Sequence, residues 1–228
     1  EAHAALGAAR LWGAWDVEGA ERELQRALEL NPSLAQAHNW LGDAFVARAR
    51  PEEALESFHR ARDLDPFSAL MHRDVARLLM YLGRCEEAVS AARTAIELDP
   101  IHAFAYSILQ RCRRAAGRLE EAVEASVRFA EGFSRRGIGS ADGLRAAYDS
   151  TGWEGLLEAQ IALFLTVPNY SFAAKTYAEL GRADEAFDAL FAAVEAREGF
   201  VSEVPVDPIF APLHSDPRWD ELLRRMGF

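Results

Sequence analysis

The chain has 228 residues and a formal net charge of −11, and half of its residues are hydrophobic. Ala, Leu, Glu and Arg dominate the sequence. These residue types favour helices, so the composition predicts an all-α protein. The negative charge argues against nucleic acid as a partner, because proteins that bind duplexes carry a basic face. No apolar run approaches the roughly 18 residues of a membrane span, so we expect no membrane binding either.

Residues of the same type recur at a constant interval through the first part of the chain. The recurring positions are Pro32, Pro66 and Pro100; Ala20, Ala54, Ala88 and Ala122; and Ala27, Ala61 and Ala95. This period predicts four helix–turn–helix units at 1–34, 35–68, 69–102 and 103–136. The last unit is degenerate, because Ser134 stands where proline is expected.

The ends of the predicted helices carry turn residues at the same period. Asn31, Asp65 and Asp99 are predicted to cap the next helix, with the following proline in the first helical position. Glycines in Leu82–Arg84, Ala116–Arg118 and Leu180–Arg182 are predicted to end helices in the left-handed conformation. In the second unit, Pro51 is predicted to start the second helix instead.

The period breaks after the fourth unit. One repeat beyond Ala122 falls on Leu156, whereas the next alanine that suits this column is Ala186. We therefore predict an inserted helix pair at 137–166, opened by a glycine-rich turn at 132–143, with helical stretches near 141–148 and 153–166. A fifth unit follows at 167–200 and a C-terminal cap at 201–228. In the cap, Asp216 and Pro217 are predicted to start a short helix that Gly227 ends.

The repeating unit resembles the tetratricopeptide repeat. The second unit resembles it most clearly, through Leu41, Gly42, Phe45, Ala54, Phe58, Ala61 and Pro66. This resemblance implies a right-handed α–α superhelix that acts as a protein interaction module, with no enzymatic activity and no cofactor.

The end of the chain carries a narrower resemblance. Asp207–Phe210, Pro212–Leu213 and Ser215–Trp219 look like the C-terminal region of bacterial multidomain signalling proteins. In those proteins similar repeats follow a winged-helix, nucleotide cyclase or serine/threonine kinase domain. The chain begins at Glu1 rather than Met. We therefore expect a piece of a longer cytoplasmic protein.

The resemblance also implies which residues face the concave groove. The second, fifth, ninth and twelfth positions of each first helix would line it. The candidate binding residues are Asn39, Asp43, Arg73, Arg77, Met80, Phe104, Arg111 and Arg114. Helical spacing alone places Arg73 with Arg77, and Arg111 with Arg114, on shared faces. Two interpretations of these arginines stay open, since they could bind an acidic or C-terminal peptide or pair with Asp43 and Asp74.

The partner under the first interpretation is a peptide, another protein or the upstream domain of the same chain. A structural alternative is self-association through exposed apolar groups such as Trp12 and Trp15. An enzyme would need convergent titratable groups within 132–166.

Histidines and cysteines give no pattern typical of a metal site. His38, His72 and Tyr106 fall near one repeat column, which indicates a position that accepts aromatic side chains. Cys85 and Cys112 are too few for a disulfide framework, and the register places them on different faces of neighbouring repeats.

Overall fold

The computed structural model describes residues 1–134, 142–166 and 169–227, and within these ranges the chain is helical with no strand. In chain order the helices are α1 (Ala2–Ala8), α2 (Val17–Leu30), α3 (Ala35–Ala47), α4 (Pro51–Leu64), α5 (Ala69–Tyr81), α6 (Cys85–Leu98), α7 (Ala103–Ala115), α8 (Leu119–Ser134), α9 (Asp142–Thr166), α10 (Tyr170–Glu179), α11 (Ala183–Glu195) and α12 (Pro217–Met226). A π-helical segment at Ala9–Ala14 extends α1, and 3₁₀ turns occupy Gly199–Glu203 and Pro208–Leu213. The predicted all-α solenoid is confirmed.

Helix pairs pack against one another through small residues. Helices α3 and α4 form one pair, α5 and α6 the next, and α4 packs on α5 between them. The periodic alanines are completely buried at these contacts: Ala20, Ala54, Ala88, Ala122 and Ala186. At Gly42 a Cβ atom would lie 2.6 Å from the Phe58 ring, so this position accepts no side chain without movement of the ring. The periodic alanines therefore mark the positions at which neighbouring helix backbones approach closely.

One residue in the turn within each repeat adopts the left-handed conformation. These residues have φ between 52° and 74° and are Trp15, Ala49, Gly83, Gly117 and Gly181. The left-handed glycines are as predicted, and Pro51 begins α4 as predicted. The second unit nevertheless keeps the left-handed turn and places it on Ala49, where the Cβ atom makes this conformation unfavourable.

The predicted capping role of Asn31, Asp65 and Asp99 is wrong. Each of these residues follows the last residue of the preceding helix, and the next helix starts only at Ala35, Ala69 or Ala103. Asn31 accepts a hydrogen bond from the Ser33 amide at 3.1 Å, and Asp99 accepts one from the Ile101 amide at 3.2 Å. The Asn31 and Asp99 side chains therefore close a turn between repeats, in which the following proline is the first turn residue.

The aromatic repeat column stabilises that same turn. A ring nitrogen of His38 lies 3.0 Å from the Pro32 carbonyl oxygen, and a ring nitrogen of His72 lies 2.9 Å from that of Pro66. The Tyr106 hydroxyl donates to the Pro100 carbonyl at 3.1 Å. A hydrogen-bonding aromatic side chain at this position thus satisfies a carbonyl of the turn between repeats.

Helix α9 contains a sharp break at Gly152, where φ is 70° and ψ is −153°. The two predicted helical stretches, near 141–148 and 153–166, fall on either side of this glycine. Most of the predicted glycine-rich turn, residues 135–141, lies outside the described residues. None of the described helices is long and apolar enough to span a bilayer.

Residues 208–227, which fall within the predicted cap at 201–228 and which we call the cap, pack against α10 and α11 at the end of the stack. Asp216 accepts a hydrogen bond from the Arg218 amide at 2.9 Å, and Gly227 ends α12 with φ at 86°. Trp219 and Leu222 of α12 are buried in the cluster that contains Phe187 of α11. The end of the solenoid is therefore covered by apolar side chains.

Two sequence-based expectations about single residues are wrong. Cys85 packs against the hydrophobic cluster that contains Cys112, and burial, followed by the neighbouring Cys85, raises the pKa of Cys112. Trp12 packs edge-on against Trp40 with ring centroids 5.8 Å apart, and the Arg197 guanidinium lies 5.4 Å from the Trp15 ring centroid. Both tryptophans are therefore half-buried rather than exposed.

Candidate functional site

One repeat position supplies four charged side chains along the concave groove. The ninth position of successive first helices holds Asp43, Arg77 and Arg111, and the same position after the insert holds Lys175. Because the solenoid stacks equivalent positions in register, these side chains follow one another along the groove. Three of these four side chains are cationic, whereas the chain as a whole has a net charge of −11.

A segment from the C-terminal side of the chain lies in this groove. We call residues 199–207 the strap, because they run from the end of α11 to the cap. Val204 is buried in the C-terminal hydrophobic cluster, and Val206 packs against the N-terminal one. Glu203 and Asp207 are 3% and 1% exposed, respectively. The strap therefore joins the two halves of the core and buries two carboxylates.

The first of these carboxylates, Glu203, meets Arg77 at the centre of the groove. Arg77 forms an ion pair with Glu203. It also donates to Asp43 at 2.6 Å and lies 3.2 Å from Asp74. The Tyr81 hydroxyl donates to Glu203 at 2.5 Å. A buried arginine is thus surrounded by carboxylates from two repeats and from the strap.

These charges shift the proton affinity of the groups around Arg77. Burial would raise the pKa of Glu203, but the charges of Arg77 and Lys175 outweigh it and the pKa falls below its usual value. For Asp43, burial and the neighbouring Asp74 outweigh Arg77, so the pKa of Asp43 rises to about 6. Carboxylates near Arg77 therefore compete for its charge, and the competition lowers the pKa of the strap residue Glu203 but not that of Asp43.

The second strap carboxylate, Asp207, meets two cations. Arg111 donates to both of its oxygens, at 2.7 and 3.0 Å, and Lys175 lies 3.2 Å away. Asp207 also accepts the Ile209 amide at 3.1 Å and so caps the following 3₁₀ turn. Burial would raise its pKa, but Arg111 and Lys175 lower it to about 2. This is the bidentate geometry that makes arginine–carboxylate pairs strong.

The other predicted groove residues lie around these two ion pairs. Asn39 is buried and donates to Asp74 at 2.9 Å, while Arg73 pairs with the same aspartate at 2.9 Å. Arg114 pairs with Glu179 at 2.7 Å and stacks over Trp153 at 5.1 Å. Pairing of Arg73 and Arg77 with Asp43 and Asp74, one of the two interpretations, is therefore present together with the pairing to the strap.

A cavity of about 60 Å³ lies beside the strap, large enough for about two water molecules. Its lining includes the predicted Arg73, Arg77, Met80, Phe104 and Arg111. Its apolar wall is an aromatic cluster in which Phe104 stacks on Phe172 with ring centroids 5.7 Å apart. The Nε atom of Arg73 is buried and has no hydrogen-bond partner within the described part of the chain. The structure thus brings five of the predicted residues together at one cavity.

Sequence reasoning missed Lys175, Glu203 and Asp207. Lys175 was within reach, because extending the column of Arg77 and Arg111 by one repeat plus the insert gives its position. The two strap carboxylates belong to no repeat, so no periodic signal marks them. Their role follows only from the folding of the chain end back into the groove.

Stacked antiparallel helix pairs with a lined concave face define an α–α solenoid. A family model described as "Tetratricopeptide repeat" matches residues 2–69 and 74–134, which is more than half of the chain. The chain belongs to the tetratricopeptide repeat family, and its fold is that of a protein–protein interaction module. No curated protein matches the sequence significantly.

Solved structures of low sequence identity share this fold. A thermophilic TPR protein of Thermus thermophilus, TTC0263, is 18% identical with a TM-score of 0.54, and the match covers 97% of each chain. Cut9–Hcn1 of the APC/C is 14% identical with a TM-score of 0.61, over 98% of this chain and 42% of that one. YrrB, described as a TPR protein with an unusual peptide-binding site, is 18% identical with a TM-score of 0.51 over 88% of each chain.

Proposed function

We propose that the chain binds an acidic segment of a partner protein in its concave groove. The observation that carries this proposal is the pairing of Arg77, Arg111 and Lys175 with the two buried carboxylates of the strap. A groove that holds one acidic segment within the chain has the charges needed to hold another. The proposed contact surface comprises Asn39, Asp43, Arg73, Arg77, Met80, Phe104, Arg111, Arg114 and Lys175.

Ion pairs alone do not account for useful affinity. A charge-assisted hydrogen bond contributes about 1.5–3 kcal/mol, and a micromolar complex requires about 8 kcal/mol. Two carboxylates would leave a remainder for apolar contacts. Met80, Tyr81 and Phe104 line the cavity beside the ion pairs and can supply such contacts. The proposed ligand is therefore an acidic segment with apolar residues between or beside its carboxylates.

The test must take account of the strap, because the strap uses the same arginine as the proposed ligand. In an Asp207→Asn chain the strap no longer offers a carboxylate to Arg111. A fluorescein-labelled peptide with the sequence of residues 198–210 serves as the probe. We expect this peptide to bind the Asp207→Asn chain. In a control peptide, Gln replaces each Glu and Asn replaces the Asp, and we expect this control to bind at least tenfold more weakly.

Matched arginine substitutions then locate the binding surface. Adding Arg111→Gln to Asp207→Asn should weaken binding of the probe by about 10- to 100-fold, since a charge-assisted pair is lost. Adding Arg26→Gln instead should leave binding within about twofold, because Arg26 is an exposed residue of α2 that pairs with Glu29. Fluorescence anisotropy measures all three chains. Equal binding by the Arg111 and Arg26 variants would refute the groove as the recognition surface.

The partner can be a separate protein or an upstream domain of the same polypeptide. The ending of the chain, from Asp207 to Trp219, supports the proposal that it belongs to a larger bacterial signalling or regulatory protein. Under this proposal the module has no catalytic role of its own and acts by holding a partner. Binding would then shift the attached domain between conformations only as far as the partner prefers one of them.

Self-association is the alternative, and specific exposed residues support it. The predicted contributors Trp12 and Trp15 are engaged within the chain, but Phe67 and Ile101 are 83% and 55% exposed in equivalent turns between repeats. Sedimentation velocity over a hundredfold concentration range distinguishes the two functions. A mass that stays at that of one chain removes this alternative.

A further inference from the structure

The strap contacts the groove in the manner of a bound peptide. Its backbone hydrogen bonds are local, with the Val206 and Asp207 amides both donating to the Glu203 carbonyl at 3.0 Å. Its links to helices α5, α7 and α10 run through side chains, namely the two carboxylates and the buried Val204. The strap thus occupies the groove through the kinds of contact that an independent segment could also make.

The elements on either side of the strap are anchored separately. On its N-terminal side, Glu198 accepts hydrogen bonds from the Tyr170 and Ser171 amides at 2.8 and 2.9 Å, at the start of α10. On its C-terminal side, Phe210 and Leu222 of the cap are completely buried. Residues 199–207 could therefore move out as a loop while α11 and the buried side chains of the cap stay in place, with loss of the hydrogen bond from Ile209 to Asp207.

We infer that the strap is a built-in occupant of the binding groove, which a partner segment of the same chemistry replaces. The inference rests on the proposed function. It adds the sequence motif expected of the ligand and identifies the strap as the segment that competes with it. The motif is a pair of carboxylates four positions apart with a branched apolar residue next to each, as in Glu203–Val204 and Val206–Asp207.

Charge makes this an exchange of one acidic segment for another. If the strap left an empty groove, Arg111 would lose the buried Asp207, Lys175 would lose two nearby carboxylates, and Arg77 would keep only Asp43 and Asp74. Loss of a buried partner is unfavourable for a buried charge. An incoming acidic segment removes that penalty. The strap also has the advantage of a short tether, which corresponds to an effective concentration in the millimolar range. The apparent affinity for a partner is therefore the affinity for the open groove multiplied by the fraction of chains in which the strap is displaced.

The experiment loosens the strap without touching the groove cations. Val204→Ala removes apolar contact from the strap but keeps both carboxylates. Val123→Ala is the matched control, because Val123 is also completely buried but packs against Leu156 and Leu157. Both variants are made in the otherwise unchanged chain, and both are checked for unchanged helicity. The probe is the labelled peptide of residues 198–210 described above.

We expect Val204→Ala to bind the probe about tenfold more tightly than the unchanged chain, and Val123→Ala to bind it as the unchanged chain does. Hydrogen-exchange mass spectrometry supplies the second measurement. Saturating probe should speed the exchange of the Val206 and Asp207 amides, because their local hydrogen bonds to Glu203 lose the protection of the groove when the strap leaves it. The control peptide with neutral residues should leave that exchange unchanged.

The outcomes separate this inference from the proposed function. If the probe binds all three chains equally, or binds while the strap amides keep their protection, the strap is not the competitor and the inference is overturned, whereas the proposed function stands. If the probe binds no chain, including Asp207→Asn, the proposed function fails and the inference fails with it.

Discussion

Replacing Asp207 by asparagine tests how much the strap contributes to the stability of the fold. Asp207 is 1% exposed and pairs with Arg111 and Lys175. Asparagine keeps the shape of the side chain and one acceptor oxygen, so Ile209 can still be capped. What the substitution removes is the negative charge between two cations.

The expected loss follows from the pKa of Asp207. The pKa falls from an ordinary value of 3.8 to about 2 in the folded chain. At about 1.36 kcal/mol for each pKa unit, this difference corresponds to about 2–3 kcal/mol of folding free energy at neutral pH. Because the folded pKa is the lower one, this stabilisation is present above about pH 4 and is lost as the pH falls towards 2. The variant lacks it at every pH.

Urea unfolding between pH 2 and pH 7, followed by circular dichroism, measures this contribution. The unchanged chain should exceed Asp207→Asn by about 2–3 kcal/mol at pH 7, and the two should converge near pH 2. Asp216→Asn is the control, since the pKa of Asp216 is also lowered to about 2, first by a hydrogen bond from Arg218, but its side chain is 28% exposed whereas that of Asp207 is 0% exposed. We expect its effect to be much smaller and to shrink with added salt. A constant difference between the unchanged chain and Asp207→Asn from pH 7 to pH 2 would refute the reasoning.

Two further predictions concern the repeats themselves. Ala49 and Gly83 occupy equivalent left-handed turns with φ of 52° and 74°, and a Cβ atom at Gly83 would meet nothing within 4 Å. A side chain at either position therefore costs only backbone strain, so Ala49→Gly should raise the free energy of unfolding by about 0.5–1 kcal/mol and Gly83→Ala should lower it by about 1 kcal/mol. Urea unfolding measures both changes. Since the folded pKa of Asp43 is raised to about 6, its contribution favours folding at low pH and is lost as the pH rises through 6. Acidification from pH 7 to pH 5 should then stabilise the unchanged chain by about 1 kcal/mol through this group, and Asp43→Asn should abolish that part of the pH dependence.

The fold was predictable because each position of the repeat has the same packing or backbone requirement in every unit. A completely buried alanine such as Ala54 marks close approach of two helices, and Gly83 marks a left-handed turn. The error at Asn31, Asp65 and Asp99 shows the limit of this reasoning. An Asx side chain before proline suits a helix start, but it also suits a turn that follows a helix end, and only the structure decides between them.

The candidate site was predictable on one side only. The family pattern selected Arg73, Arg77 and Arg111, and the structure brings these side chains to one cavity. The residues opposite them, Glu203 and Asp207, lie far along the chain from Arg77 and Arg111, on the other side of the insert and the fifth unit. Contacts at that distance depend on the path of the whole superhelix and on the return of the strap. No local pattern in the sequence encodes them.

The position of the strap links stability to binding in this solenoid. The stabilisation that Asp207 contributes by pairing with Arg111 is also the free energy that a partner must replace when it takes the groove. A strap that bound more tightly would make the fold more stable and would lower the affinity for a partner. Asp43 limits how tightly the strap binds, since it competes with Glu203 for Arg77. The strap is therefore held by paired charges and one buried valine, a combination that a partner segment of the same composition can match.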